Sequence, residues 1–340
     1  MQPFLFERAV TIESALNAAA RGARLMAGAT NLFDLMKLGV ETPSRVVDIS
    51  SLPLRGIEQT AEGGFTIGAL TSNTAIADDK RLRTAYPLVS QATLSGATQQ
   101  IRNAATLGGN LLQRTRCPYF QDIQVDECNK RRPGSGCAAR QSIDRLGAVL
   151  GAPSDCIATM PSDLAVALTA VDAEVELTSL AGTRRLRLAD FYAPAFASAQ
   201  RESALEPGEL LTAVQLPPCP EARNSIYEKV RERASYAFAL VSVAAAMSCD
   251  GAARISSLRV AIGNVAPGPW RSWDAERLAI GAPMHPATFA RVAGALLKPA
   301  TLGRTNGFKL EIARRVLIRA LTGLGEKLSH GQDRTIDTKV

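Results

Sequence analysis

Cys117, Cys128, Cys137 and Cys156 fall in one stretch of a 340-residue chain that has only six cysteines. Thiolates are soft ligands for zinc and iron and can carry redox chemistry. The spacing is C-x10-C-x8-C-x18-C. Structural zinc sites usually contain a close C-x2-4-C pair, and none occurs here. The usual ferredoxin runs are also absent. Spacing alone therefore leaves free thiols, an iron–sulfur cluster, zinc and disulfides open. Six cysteines are too few for a disulfide scaffold, and Cys219 and Cys249 stand apart as structural or incidental residues.

The segment from Asn129 to Cys137 adds Lys130, Arg131 and Arg132 and a Pro133-Gly134-Ser135-Gly136 turn. Positive charge and backbone N–H donors stabilise thiolates and raise a cluster's potential. A solvated basic loop is the plain alternative.

Two small-residue turns could admit a phosphate. Ala27-Gly28-Ala29-Thr30-Asn31 follows a strand pattern and precedes a helical one, so a helix start with free N–H groups can face an anion. Thr106-Leu107-Gly108-Gly109-Asn110 offers two glycines, which permit positive φ and close backbone approach, flanked by polar side chains. Each alone is equally an ordinary turn. No G-x-G-x-x-G and no G-x-x-x-x-G-K-[ST] occurs at these turns, which excludes Rossmann and P-loop readings. Asp163 opens a helical run after Pro161-Ser162, as a first-turn acid or as an acceptor for a polyol. Lys229 lies on a strand with alternating basic residues. The two histidines, His285 and His330, are late in the chain, so a His-based triad or metal site is not expected.

These residues need elements to hold them. Residues 1–60 alternate short strands and helices, with Thr11 capping the first helix. Residues 61–112 bring the strand Gly64 to Gly68, a helical stretch Tyr86 to Ala97 and a turn at Gly108-Gly109. Residues 113–160 have weak periodicity and hold the four cysteines; so long a loop in a compact domain is usually functional. A helix, two strands and a loop follow to residue 217. Pro217-Pro218-Cys219-Pro220 marks the domain boundary. Beyond it come three strands (Asn224 to Arg231, Phe238 to Ser248, Ile255 to Gly263) and helices at Ser272 to Ile280, Pro286 to Leu297 and Asn306 to Leu324. A flexible tail, 326–340, is expected.

Hydrophobic residues are 46% and charged ones 21%, the composition of a globular protein that can build two or three domains. The net charge of +7 is dispersed, with no basic run interleaved with aromatics, so nucleic-acid binding is not expected. No apolar run reaches the ~18 residues of a membrane span. The N-terminus lacks the charged and apolar regions of a signal peptide, so no export signal of its own is expected.

The ordered set A-G-A-T-N-L, I-R-N-A-A-T-L-G-G-N-L, P-S-D-L, K-V-R-E-R-A and I-G-N-V-A-P-G-P-W-R resembles the FAD-binding medium subunit of the xanthine dehydrogenase family of molybdenum hydroxylases. The likeness runs to about residue 324. Most members pass directly from G-G-N to S-D, whereas about fifty residues intervene here. L-Q-R-T-R-C-P-Y-F, C-N-K-R-x-P-G-S-G-C-A-A and C-I-A-T-x-P-S-D resemble the corresponding subunit of bacterial periplasmic aldehyde oxidoreductases. Ala29 and Asn264 stand where the family often has glycine.

The resemblance implies an α+β fold: a two-lobed FAD-binding domain of the PCMH type over 1–220 (lobes 1–60 and 61–220, insertion 113–160), then a C-terminal α/β domain of the CO dehydrogenase flavoprotein type over 221–325. It implies FAD contacts from Met26, Ala27, Gly28, Ala29, Thr30, Asn31 and Leu32, from Thr106, Gly108, Gly109 and Asn110, and from Ile157. Asp163 would meet the ribityl side and Lys229 would lie near the flavin. Cys117, Cys128, Cys137 and Cys156 would bind a [4Fe–4S] cluster. No catalytic residue is expected on this chain. The partners implied are a molybdopterin-bearing large subunit and a small subunit with two [2Fe–2S] clusters, in a heterotrimer that converts aldehyde and water to carboxylic acid and passes electrons through FAD to an external acceptor. Location would be periplasmic if a signal-bearing partner exports the complex, and cytoplasmic otherwise. The rivals are a flavin subunit of a hydroxybenzoyl-CoA reductase and a zinc-binding structural adaptor.

Overall fold

The computed structural model describes residues 1–336, with side chains to Ser329. Its first lobe contains β1 (Leu5–Arg8), α1 (Ile12–Ala20), β2 (Arg24–Met26), α2 (Leu32–Lys37) and β3 (Arg45–Asp48), with the strands parallel in the order β1-β3-β2. Thr11 starts α1 as expected: its hydroxyl accepts from the Ser14 N–H at 3.0 Å, and the Ser14 hydroxyl accepts from the Thr11 N–H at 3.1 Å. Such reciprocal caps satisfy two N–H groups that a helix start leaves open. Ala15, Leu16 and Ala18 turn inward onto Val47 and Ile49.

The second lobe is an antiparallel sheet of β4 (Ile57–Gln59), β5 (Phe65–Gly68), β6 (Glu174–Ser179), β7 (Gly182–Arg187) and β8 (Leu210–Leu216), ordered β4-β5-β8-β6-β7. Because β4 pairs with β5, this sheet begins before residue 60. Residues 188–217 are not the loop expected: they hold α11 (Leu188–Tyr192) and the central strand β8. Every residue of β8 except Gln215 is buried. A strand covered on both faces shows no alternation to read. Helices α3 (Asn73–Asp78), α4 (Lys80–Ala85), α5 (Pro87–Gly96), α6 (Gln99–Ala104), α7 (Leu107–Leu111) and α10 (Asp163–Ala170) complete the lobe, and its core includes Leu88, Leu107, Leu164 and Val214.

The insertion has only two short helices, α8 (Pro118–Gln121) and α9 (Ala138–Gln141), and one bridge between Cys128 and Cys137. It is tied on both sides. Phe120 and Cys128 pack on Leu35 of α2. Asp144 accepts from the Arg304 and Thr305 N–H groups at 2.7 Å each, and buried Lys309 donates to the carbonyls of Leu146, Gly147 and Asn264 at 2.9, 3.0 and 2.8 Å.

The C-terminal domain is an antiparallel sheet of β9 (Ser225–Val230), β10 (Val241–Cys249), β11 (Ile255–Gly263) and β12 (Trp270–Arg271), packed on α12 (Trp273–Arg277), α13 (Pro286–Leu297) and α14 (Phe308–Ile336). The three longer strands and α13 fall where the sequence places them; β12 is additional. Helix α14 continues past Gly325, where a tail is expected; residues 337–340 of that tail lie outside the described residues. Among the described residues no helix is long and apolar enough to cross a membrane.

Candidate functional site

A cavity of about 920 Å³ lies between the two lobes. One wall is the β2–α2 turn, Met26 to Leu32; the other includes Thr106, Gly108 and Gly109. The turn approaches the second lobe so closely that only glycine fits at 28: a Cβ there would stand 1.9 Å from the Ala104 carbonyl oxygen. Ala29 takes φ +58°, the left-handed region that favours glycine, as its departure from the family pattern foreshadows. Asn264 takes φ +61°, which asparagine tolerates better.

The two helix starts on the cavity differ. At α7, the N–H groups of Leu107, Gly108 and Gly109 go to Thr71 O, Ala69 O and the Thr106 hydroxyl at 2.9, 2.8 and 3.2 Å. Gly108 and Gly109 are helical and do not use positive φ, contrary to the turn expected. Their value is thinness: a Cβ on Gly108 would meet Ala69 at 3.3 Å. At α2, by contrast, Asn31 makes no side-chain cap. Its Oδ1 accepts from the Arg114 N–H at 2.9 Å, and its buried Nδ2 has no partner within the protein. An uncapped helix start beside an unsatisfied amide donor fits a ligand carrying anionic oxygens.

Asn110, Ile157, Asp163 and Lys229 are not on the wall of this cavity. Asn110 accepts from the Ser162 hydroxyl at 2.5 Å, tying α7 to α10. Ile157 is buried, and its carbonyl accepts from the Ala148 N–H at 2.7 Å. Asp163 and Lys229 form a buried pair at 2.8 Å, with the Tyr227 hydroxyl donating to the other Asp163 oxygen at 2.5 Å and Lys229 Nζ to Ser95 O at 2.9 Å. Burial pushes the Asp163 carboxyl up against the opposing pull of Lys229 and Tyr227. Burial and the neighbouring Asp163 raise the Tyr227 hydroxyl well above its ordinary value.

Sequence reasoning missed a charged chain along the cavity wall. Arg114 bonds Glu41 at 2.6 Å and Glu202 at 2.7 Å, and Glu202 pairs with Lys130 at 3.0 Å. Burial alone would raise the Glu202 carboxyl, but Lys130 and Arg114 outweigh it and hold it below its ordinary value. These residues are far apart in sequence and carry no local spacing signal.

The four cysteines do converge. All line one small cavity of about 20 Å³ and form no disulfide. The neighbouring Cys156 thiol is the main reason Cys137 is lowered to about 6, helped by the Arg140 and Ile157 N–H groups against burial. The same neighbour relation, with burial, raises Cys156. Burial raises Cys117, opposed by the Phe120 and Tyr119 N–H groups. Among the described residues no three His, Cys, Asp or Glu side chains are gathered to hold a single metal ion. Lys130 and Ala158 line the cysteine cavity and the large cavity alike.

Residues 2–219 match the family described as FAD binding domain in molybdopterin dehydrogenase, and residues 225–324 match the CO dehydrogenase flavoprotein C-terminal domain. The chain belongs to this FAD-binding family. The two matches meet near the Pro217–Pro220 boundary. Over 325 residues the chain is 49% identical to the aldehyde oxidoreductase FAD-binding subunit PaoB of Escherichia coli K12, covering 94% of this chain and 98% of that protein. It is 27% identical to the glyceraldehyde dehydrogenase medium chain of Sulfolobus acidocaldarius, covering 82% of this chain and 81% of that one. Two solved structures share the fold at TM-score 0.74: quinoline 2-oxidoreductase from Pseudomonas putida 86, at 20% identity over 96% of this chain and 98% of that one, and CO dehydrogenase from Oligotropha carboxidovorans, at 24% identity over 96% and 99%. The family binds FAD, and the α+β two-part fold implied by the sequence is the fold found.

Proposed function

We propose that this chain is the FAD- and [4Fe–4S]-carrying electron-transfer subunit of a molybdenum-dependent aldehyde oxidoreductase. The observation that carries the reading is that four cysteines line one small cavity whose wall is shared with the inter-lobe cavity. The 49% identity to an aldehyde oxidoreductase FAD-binding subunit supports the aldehyde class over a hydroxybenzoyl-CoA reductase. A single zinc ion needs thiolates converging at ~2.3 Å on one point. A four-iron cluster gives each thiolate its own iron, so its sulfurs stand farther apart. Four cysteines round one cavity beside the inter-lobe wall support a cluster here, and the identity of the bound metal separates it from the zinc adaptor.

In this reading the Met26–Leu32 turn and the α7 glycines hold the FAD pyrophosphate. The Asn31 amide and the α2 start would donate to its oxygens, while Gly28 lets the turn pack on Ala104 and Gly108 lets α7 pack on Ala69, which brings the two walls together. Asp163 and Lys229 act behind the site, fixing β9 to α10 and the end of α5. The Ala158 N–H donates to Cys156 Sγ at 3.4 Å, and the N–H groups of Tyr119, Phe120, Arg140 and Ile157 favour the thiolates of Cys117 and Cys137. When bound, FAD and the cluster would supply the redox chemistry, in a complex with a molybdopterin-bearing large subunit and a [2Fe–2S] small subunit that hands electrons to an external acceptor. The complex is periplasmic if a partner carries an export signal, and cytoplasmic otherwise.

Anaerobic addition of benzaldehyde to the co-purified complex tests the route. Bleaching of the flavin absorbance, with an iron–sulfur EPR signal additional to those of the [2Fe–2S] centres, is expected. Oxidised flavin persisting in a complex that turns aldehyde over with a dye would contradict it.

A further inference from the structure

The notable feature between the two cavities is that a single ammonium stands in their common wall. Of the three adjacent basic residues, Arg132 is exposed and paired with Asp126 at 3.3 Å, and Arg131 spends its guanidinium on the carbonyls of Tyr119, Val125 and Ile123. Of these three, Lys130 is the one that lines both cavities, with its side chain 8% exposed. Its Nζ lies 3.0 Å from Glu202 Oε1 and 3.2 Å from Ala199 O.

The segment Ala199–Glu202 is held from the cysteine side by neighbours of Lys130. The Gln200 amide donates to Asn129 O at 2.8 Å, the Ala199 N–H donates to the Asp155 carboxylate at 3.1 and 3.2 Å, and the Asn129 amide donates to Asp155 O at 2.7 Å. On its other side the same segment forms the wall of the inter-lobe cavity through Gln200, Arg201 and Glu202. Arg114 continues the charge chain to Glu41 and covers the Phe120 ring at 4.6 Å, next to the cysteines. Whatever orders the cysteine loop therefore orders the nucleotide wall.

We propose that Lys130 is a positioning residue that couples the two cofactor sites: its charge raises the potential of the iron–sulfur cluster, and its pair with Glu202 makes FAD retention depend on an ordered cysteine loop. The proposal rests on the cluster reading above. Reduction adds one negative charge to the cluster, and a buried cation beside it favours that state. Coupling through a shared wall is reciprocal in binding free energy, so an assembled cluster tightens FAD binding and bound FAD tightens the hold on the cluster.

The test uses the whole co-purified complex as wild type, Lys130→Met, Lys130→Arg and Glu202→Gln. Iron and acid-labile sulfide are measured first, then the cluster potential by EPR-monitored titration, then FAD release after dilution. Lys130→Met is expected to keep its iron, shift the cluster to a lower potential and release FAD several-fold faster; Lys130→Arg should restore both. Glu202→Gln removes the counter-charge but leaves the cation, so the potential should rise. If Lys130→Met does not fold, Glu202→Gln decides by that opposite shift. Iron-loaded Lys130→Met, or folded Glu202→Gln, at the wild-type potential overturns the proposal. Equal loss of iron from Lys130→Met and Lys130→Arg also overturns it, because the residue would then be only a prop for the loop. Wild type without this cluster's iron overturns the cluster reading itself, a distinct failure.

Discussion

The missing side chain of Gly28 and the carbonyl of Ala104 define how the two lobes meet: a Cβ on residue 28 would lie 1.9 Å from that oxygen. Neither group can retreat without moving the β2–α2 turn or the end of α6. Gly28→Ala should therefore part the lobes at the nucleotide cavity, costing about 1–3 kcal/mol as overpacking does. The flavin-to-protein ratio and the thermal midpoint should both fall. Full flavin content with an unchanged midpoint would contradict this contact.

Ala29 has the opposite problem. It holds φ +58° with a side chain that this region penalises by ~1–2 kcal/mol. Glycine removes the clash but loses more entropy on folding, so Ala29→Gly should gain about 0.5–1 kcal/mol. Urea unfolding checks this, and a lower midpoint would count against strain at this position.

Asp163→Ala should act through stability first. Removing the carboxylate strands the Lys229 ammonium, whose side chain is 3% exposed, and breaking a buried pair this way costs about 3–5 kcal/mol. The urea midpoint should drop, with FAD loss following. Normal stability with lost FAD would instead make Asp163 a direct ligand of the ribityl chain.

The Glu202 pairs give an acid dependence with a defined sign. Burial works to raise this carboxyl, but Lys130 and Arg114 hold it below its ordinary 4.5 in the folded chain. The unfolded chain takes up the proton near 4.5, so the pairs stabilise the fold above that pH. That stabilisation is lost as pH falls through the lower folded value. The stability difference between wild type and Glu202→Gln should thus be full at pH ~7 and shrink below pH ~4.5. A difference that grows in acid would reverse the assignment.

Much of this was legible in the sequence where the signal is local. Thr11 capped α1, Pro286–Leu297 formed α13 within its expected bounds, and the A-G-A-T-N turn lies on the cavity. The failures are non-local. Strand β8 is buried on both faces and shows no alternation. Gly108 and Gly109 look like a turn because glycine marks turns, but Thr106 caps a short helix there to bring thin backbone against Ala69. The Glu41–Arg114–Glu202–Lys130 chain joins residues from both lobes and the insertion, so no spacing rule reveals it. Asp163 and Lys229 were found together, but as a closed pair behind the cavity wall.

Iron, acid-labile sulfide and flavin analysis of the anaerobically purified complex, in wild type and Cys137→Ser, tests the central claim most directly. The wild type should hold about four iron and four sulfide beyond those of the [2Fe–2S] partner, with about one FAD per chain, and Cys137→Ser should lose or degrade the extra iron. Zinc in its place, or no metal with FAD intact, or extra iron unchanged by Cys137→Ser, would contradict a [4Fe–4S] cluster held by these four cysteines.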